Sequence, residues 1–215
     1  MIMTKLLKRR YVITFISVIL VLLVFSSVYL FKNASYFLSL NHPIEAKIMV
    51  VEGWIPDYAL EKAKFEFEKG DYQMLITTGG PLSKGFFLSG YRTHAELAAA
   101  TLIATGFPDD KLSSVSAQKV KKDRTFASAV ALKRWLVDNN IKETNFNVVS
   151  LGTHARRTRL LFKKAFDGEY SIGIIAIENE DYNSRKWWKS SSGVRSVLNE
   201  LIAYCYAAFF FRDKN

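Results

Sequence analysis

Hydrophobic positions along the chain follow two different regimes. Residues 11–31 (YVITFISVILVLLVFSSVYLF) form an uncharged run of 21 residues, matching the roughly 20 that a helix needs to cross the hydrocarbon core of a bilayer. From Lys47 onward the apolar residues come instead in short runs of strand length. Each run is followed by a glycine or capping residue and then by a segment with helical period, and the pattern recurs about five times, which predicts parallel βαβ units.

The first regime predicts a retained transmembrane helix. It is longer than the usual signal-peptide core of about 7 to 15 residues, and no A-x-A-like cleavage site comes after it. Lys5, Lys8, Arg9 and Arg10 precede the run, whereas only Lys32 stands immediately after it. The positive-inside rule therefore keeps the N-terminus cytoplasmic and exports the C-terminal domain, to a periplasm or to the cell exterior. The expected organisation is a basic N-terminus (1–10), the span (11–31), a juxtamembrane linker (32–46) and one α/β domain (47–215), long enough for one hydrophobic core.

Within the domain, strands are expected at 48–51, 74–78, 112–115, 146–151 and 171–177. Pro56 opens a first helix on which Leu60, Ala63 and Phe67 share a face and which ends near Gly70. A second starts near Thr93 with Leu97, Ala100, Thr101 and Ala104 on one side, and Gly106 and Pro108 stop it. Asp123 or Thr125 caps a third containing Phe126, Ala129 and Val130; Thr153 caps a fourth burying Leu161, Phe162, Ala165 and Phe166. The closing helix shows the strongest amphipathic stripe, Val194, Val197, Leu198, Leu201, Ile202 and Cys205. With right-handed crossovers these units make an open doubly wound sheet of about five strands, mostly parallel, whose ligands bind at the carboxyl ends of the strands.

Charge narrows the partners. The formal net charge is +10, and with the five basic residues of 1–32 removed the remainder has 25 basic against 20 acidic residues. That mild excess suits anionic ligands or lipid headgroups and falls short of the surface of a dedicated nucleic-acid binder. His42, His94 and His154 lack metal-ligand spacing, so no structural zinc is expected. The single cysteine, Cys205, forms no intrachain disulfide and reads as a small buried hydrophobe. Trp187, Trp188 and the aromatic tail at 204–211 are mostly core by composition, with Phe209, Phe210 and Phe211 the best candidates for a membrane interface.

The strand-end loops hold Glu52-Gly53-Trp54, Thr77-Thr78-Gly79-Gly80, Asp123-Arg124-Thr125 and Ser150-Leu151-Gly152-Thr153-His154, with Arg156, Arg157 and Arg159 close behind. Gly79 and Gly80 would let backbone N–H groups approach an anion, but they serve equally as an ordinary turn, and no G-x-G-x-x-G or G-K-[ST] fingerprint is present. His154, Arg156 and Arg157 fall in the first turn of a helix, where cations oppose the dipole unless a negative ligand or carboxylate compensates. Glu96, three residues after Thr93, reads as the partner in a capping box. Glu200 lies about 240° around the helix from Val194, so periodicity makes it exposed.

Taken in order, VVEG at 50–53, TTGGP at 77–81, Glu96 ahead of ATGFP at 104–108, DRTFASA at 123–129, GTHARRTRLLF at 152–162 and NELIAY at 199–204 resemble the domain-of-unknown-function 218 family of SanA, ElyC and YdcF-like proteins. The resemblance spans nearly the whole exported domain. It implies a Rossmann-like fold and, for anchored members, work in envelope or cell-wall biogenesis and barrier function. The family's His-x-x-Arg pair falls on His154 and Arg157, and its acidic positions on Glu96 and Glu200, which promotes both carboxylates to catalytic candidates. The family's Asn-Thr-x-Glu-Asn segment is here Arg124-Thr125-Phe126-Ala127-Ser128, so its acid is absent or moved to Asp123.

The expected function is accordingly that of an envelope protein acting on a phosphorylated or nucleotide-like ligand, free or lipid-linked, by transfer or hydrolysis. Arg156 and Arg157 would hold the anion beside Gly53, Thr78, Gly79, Gly80, Asp123, Arg124, Thr125, Gly152 and Thr153. His154 would act as acid or base, oriented by Glu52 or Glu200. The alternatives are a non-catalytic envelope factor or ligand sensor, and a nucleoside-cofactor enzyme, against which the missing glycine fingerprint and export both weigh. The sequence names no cofactor.

Overall fold

A computed structural model describes residues 2–212. By internal contacts the chain divides after Ala34 into two compact units. The first is helical: α1 (Ile2–Leu38) contains a segment, Ile13–Leu38, long and apolar enough to cross a membrane, with mean hydropathy 2.6 and its most apolar stretch outside any protein core.

The second unit opens with the last turn of α1, where Ser35 and Leu38 are buried. Residues 35–46 of the expected linker belong to this unit. After Leu38 the backbone of His42 pairs antiparallel with Ile174, N–H to carbonyl in both directions. The buried amide of Asn147 holds both the N–H and the carbonyl of Ile44.

Five strands come next: β1 (Ile48–Glu52), β2 (Met74–Gly79), β3 (Leu112–Ser116), β4 (Asn145–Leu151) and β5 (Ser171–Ile177). They lie in the order β3-β2-β1-β4-β5 with every neighbouring pair parallel. This is the doubly wound, Rossmann-like α/β fold expected from the alternation of runs. Helices α2 (Asp57–Lys69) and α3 (His94–Ala104) cover one face, and α4 (Arg124–Asp138) and α5 (Ala155–Ala165) the other; α6 (Ser191–Cys205) closes the chain order. Side-chain alternation along β1 feeds both layers, Ile48 and Val50 into one, Met49 and Val51 into the other. The direction in which strands are added reverses between β1 and β4, so the crevice at their carboxyl ends is the switch point where such folds take ligands.

Three expected helix details are corrected. Helix α3 buries Ala95, Ala98, Ala99 and Leu102, not the face of Leu97, Ala100, Thr101 and Ala104; its sequence is apolar nearly all round, so no polar face fixed the phase. Thr153 does not cap α5. It sits in a 3₁₀ turn, Gly152–His154, with its hydroxyl 3.1 Å from that of Ser196. In α6 only Val197 of the amphipathic stripe is buried; Leu198, Ile202 and Cys205 are exposed.

Candidate functional site

The crevice at the switch point is a cleft of about 1230 Å³, lined from the ends of β1 and β2, the loops after β2 and β3, the turn after β4, the starts of α3, α4 and α5, and α6. Ten of the expected residues line it: Glu52, Thr78, Gly79, Gly80, Asp123, Arg124, Thr125, His154, Arg157 and Glu200.

At its base Glu52, the last residue of β1, is 3% exposed. A carboxylate so deep requires partners. Ser150 at the end of β4 donates a hydrogen bond to Oε2, as does Thr158 of α5 at 2.9 Å. The Nε2 of His154 stands 3.7 Å from Oε1, an ion-pair distance too long for a hydrogen bond.

The other ring nitrogen, Nδ1, lies 2.9 Å from Oε1 of Glu200. Arg157 grips that same carboxylate with two donors, Nε to Oε2 at 2.8 Å and Nη2 to Oε1 at 3.1 Å. One edge of Trp54 meets the imidazole at 4.7 Å between ring centres. His154 and Arg157 are three apart on successive turns and so share a face. Glu200 reaches them from α6 because that helix buries its Gly193–Val197 side, three residues before Glu200, rather than the Leu198–Ile202 side of the stripe.

Burial alone would push the imidazole down, but the Glu52 charge and the Glu200 hydrogen bond overcome it, and His154 is pushed up to about 9. Glu200, which burial would raise, is pulled to about 2 by its hydrogen bonds to His154 and Arg157. Glu52 is likewise held below its usual value, against burial, chiefly by the His154 charge. At neutral pH the cluster is therefore two carboxylates, one imidazolium and one guanidinium, a set with no net charge. His94, which also lines the cleft, goes the other way: burial and the nearby Arg124 charge lower it and keep it neutral.

The positive field comes from the rim. Lys119, Lys121, Lys122 and Arg124 line the mouth against the single acid Asp123. Phe86 and Phe87 add an apolar lip, with Phe87 94% exposed. Asp123 has φ 57°, a left-handed conformation that turns the chain into α4, and caps that helix without a side-chain bond.

Five expected residues are placed elsewhere. Arg156 turns away from the cleft, its guanidinium 3.9 Å over the ring of Phe37 and hydrogen-bonded to the Phe37 carbonyl. Glu96 completes the capping box with Thr93 and also accepts from the Arg92 N–H. Gly53 is a packing residue: a Cβ there would collide with the His94 carbonyl oxygen, so only glycine lets α3 start over the end of β1. Gly79, although on the cleft, serves the same contact, with its Cβ position 2.7 Å from that of His94. Gly152, at φ +46°, and Thr153 build the turn that presents His154.

Sequence reasoning placed Ser150 at a strand end without assigning it a partner, and missed Thr158, the other donor to Glu52, and the rim lysines. Thr158 stands four residues after His154, a spacing that puts both on one helical face. The run Lys119–Lys122 comes after β3 at a strand carboxyl end, where the fold rule directs attention. Among the described residues no cluster of His, Cys, Asp or Glu is arranged to hold a metal ion. Compared with known proteins, the chain matches no family model and no curated sequence.

Proposed function

We propose that this protein is a membrane-anchored enzyme of the cell envelope, related to the domain-of-unknown-function 218 family, that transfers or hydrolyses a phosphorylated or nucleotide-like ligand, free or lipid-linked. In this reading the anchor lies at residues 11–31, with the N-terminus cytoplasmic and the α/β domain on the far side. The observation that carries it is His154, set between the carboxylates of Glu52 and Glu200 at the switch point of a doubly wound sheet, beneath a basic rim. The lysines at the mouth draw in the anion, while the neutral inner cluster leaves His154 free to act as general acid toward a leaving oxygen. Arg157 then positions Glu200, a role different from the direct anion grip expected of it.

Purified full-length protein should retain a phosphorylated molecule detectable by native mass spectrometry. Replacing Lys119, Lys121 and Lys122 together by serine should lose it. His154→Gln should keep binding and lose turnover. Retention that ignores the lysines would end the anion reading, and turnover that survives His154→Gln would end the acid reading. The mutual satisfaction of His154, Glu200 and Arg157 also favours a second reading, a binding factor without chemistry; full cellular function of His154→Gln would select it.

A further inference from the structure

The α6 stripe that the core does not use continues past the helix. Leu198 (39% exposed), Ile202 (71%), Cys205, Tyr206 (44%), Phe209 (77%) and Phe210 (72%) recur at helical spacing through α6 and the π-helical turn Tyr206–Phe210. A row of large apolar side chains this long is more than scattered surface hydrophobicity. Phe211, by contrast, is 9% exposed and packs on Phe126, so it leaves the set of interface candidates.

Two features say what covers this face. The ring of Tyr204 on α6 meets that of Phe37 edge-on at 5.6 Å. Phe37 and its neighbour Tyr36, 84% exposed, belong to the last turn of the membrane-competent segment. The stripe thus lies beside residues 36 and 37 of the same unit, a few residues in sequence after the expected anchor, and its aromatic composition is that of an interfacial belt. Its charge fits too: Arg195 and Arg212, both exposed, bracket the stripe, and the single acid of α6, Glu200, is turned inward onto His154.

We infer that the face formed by Leu198, Ile202, Cys205, Tyr206, Phe209 and Phe210 lies in the headgroup region of the bilayer that holds the anchor, with Arg195 and Arg212 against anionic lipid. The inference rests on residues 11–31 being a membrane span and is independent of the ligand. Since Glu200 is on this same helix, the contact would also fix α6 against the bilayer while its inner side completes the site.

The test uses the full chain in nanodiscs of phosphatidylethanolamine and phosphatidylglycerol. Cys205 is the chain's one cysteine, so a fluorophore can be placed there without substitution. Ile202→Cys and Val137→Cys, each with Cys205→Ser, give a second stripe position and a control on α4, where Val137 is 62% exposed. Spin-labelled lipid should quench positions 202 and 205 several-fold more than 137, and iodide should show the reverse order. Equal quenching at all three positions would overturn the inference. So would protection from both quenchers with a doubled particle mass, which would assign the face to a second copy of the chain. Release of the protein by alkaline carbonate would overturn it through the anchor itself and leave the cleft chemistry standing.

Discussion

Glu200→Gln removes one negative charge 2.9 Å from the His154 imidazole and leaves Arg157 without its carboxylate. In the intact cluster His154 rises from 6.5 to about 9, worth about 3 kcal/mol at about 1.4 kcal/mol per pH unit. Glu52 remains as a partner at 3.7 Å, but burial and the newly unbalanced Arg157 both oppose the imidazolium. The variant should therefore lose at least half of that stabilisation, and the His154 pKa should fall by about 1 to 2 pH units. A histidine-labelled NMR titration reads this directly, with His42 and His94 as internal references.

The same shift has a stability signature. A group whose pKa is raised by folding contributes fully below its unfolded value and loses the contribution as pH rises through the folded value. The intact protein should lose about 3 kcal/mol between roughly pH 6.5 and 9, and Glu200→Gln a smaller amount over a lower range. Glu200 has the opposite sign: its contribution is complete above 4.5 and disappears as pH falls toward about 2. A His154 that titrates near 6.5 in the intact protein, or near 9 in the variant, would refute the electrostatic account of the site.

Thr158→Val removes a buried hydroxyl that donates to Glu52 and should destabilise the domain by about 1 to 3 kcal/mol, seen as a lower thermal midpoint; an unchanged midpoint would mean that Ser150 and His154 suffice. Glu96→Ala should cost about 1 kcal/mol through the lost capping box and leave ligand retention intact, and loss of ligand at unchanged stability would return Glu96 to the site.

The sheet was legible because four of its strands are short apolar runs ended by a turn residue, and β5 begins and ends where its run does; β3, Leu112–Ser116, is the weak exception, with three serines in five residues. The phase of α3 was not, because a helix of alanines and leucines looks apolar from every side. The site divides in the same way. Position at a strand end selected Glu52, His154 and Arg157, since topology alone brings those loops together. Glu200 was masked by a helical stripe that periodicity assigned to the core, although the apolar surface it marks is exposed on α6. Only the resemblance restored Glu200. Arg156 shows the reverse failure: one residue from Arg157, it looks equivalent in sequence, but about 100° of helical rotation aims it at Phe37 instead.

The four charged groups of the cluster also enter the growing chain at different times. Glu52, His154 and Arg157 emerge first, and Glu200 comes later on α6, the last α-helix in chain order. Until α6 docks, Glu52 is the one carboxylate of the cluster for both His154 and Arg157, and the imidazole lacks the partner at Nδ1 that helps hold its proton. Completion of the site therefore waits on the last helix, and a chain that stops short of Glu200 lacks the carboxylate that ties His154 to Arg157.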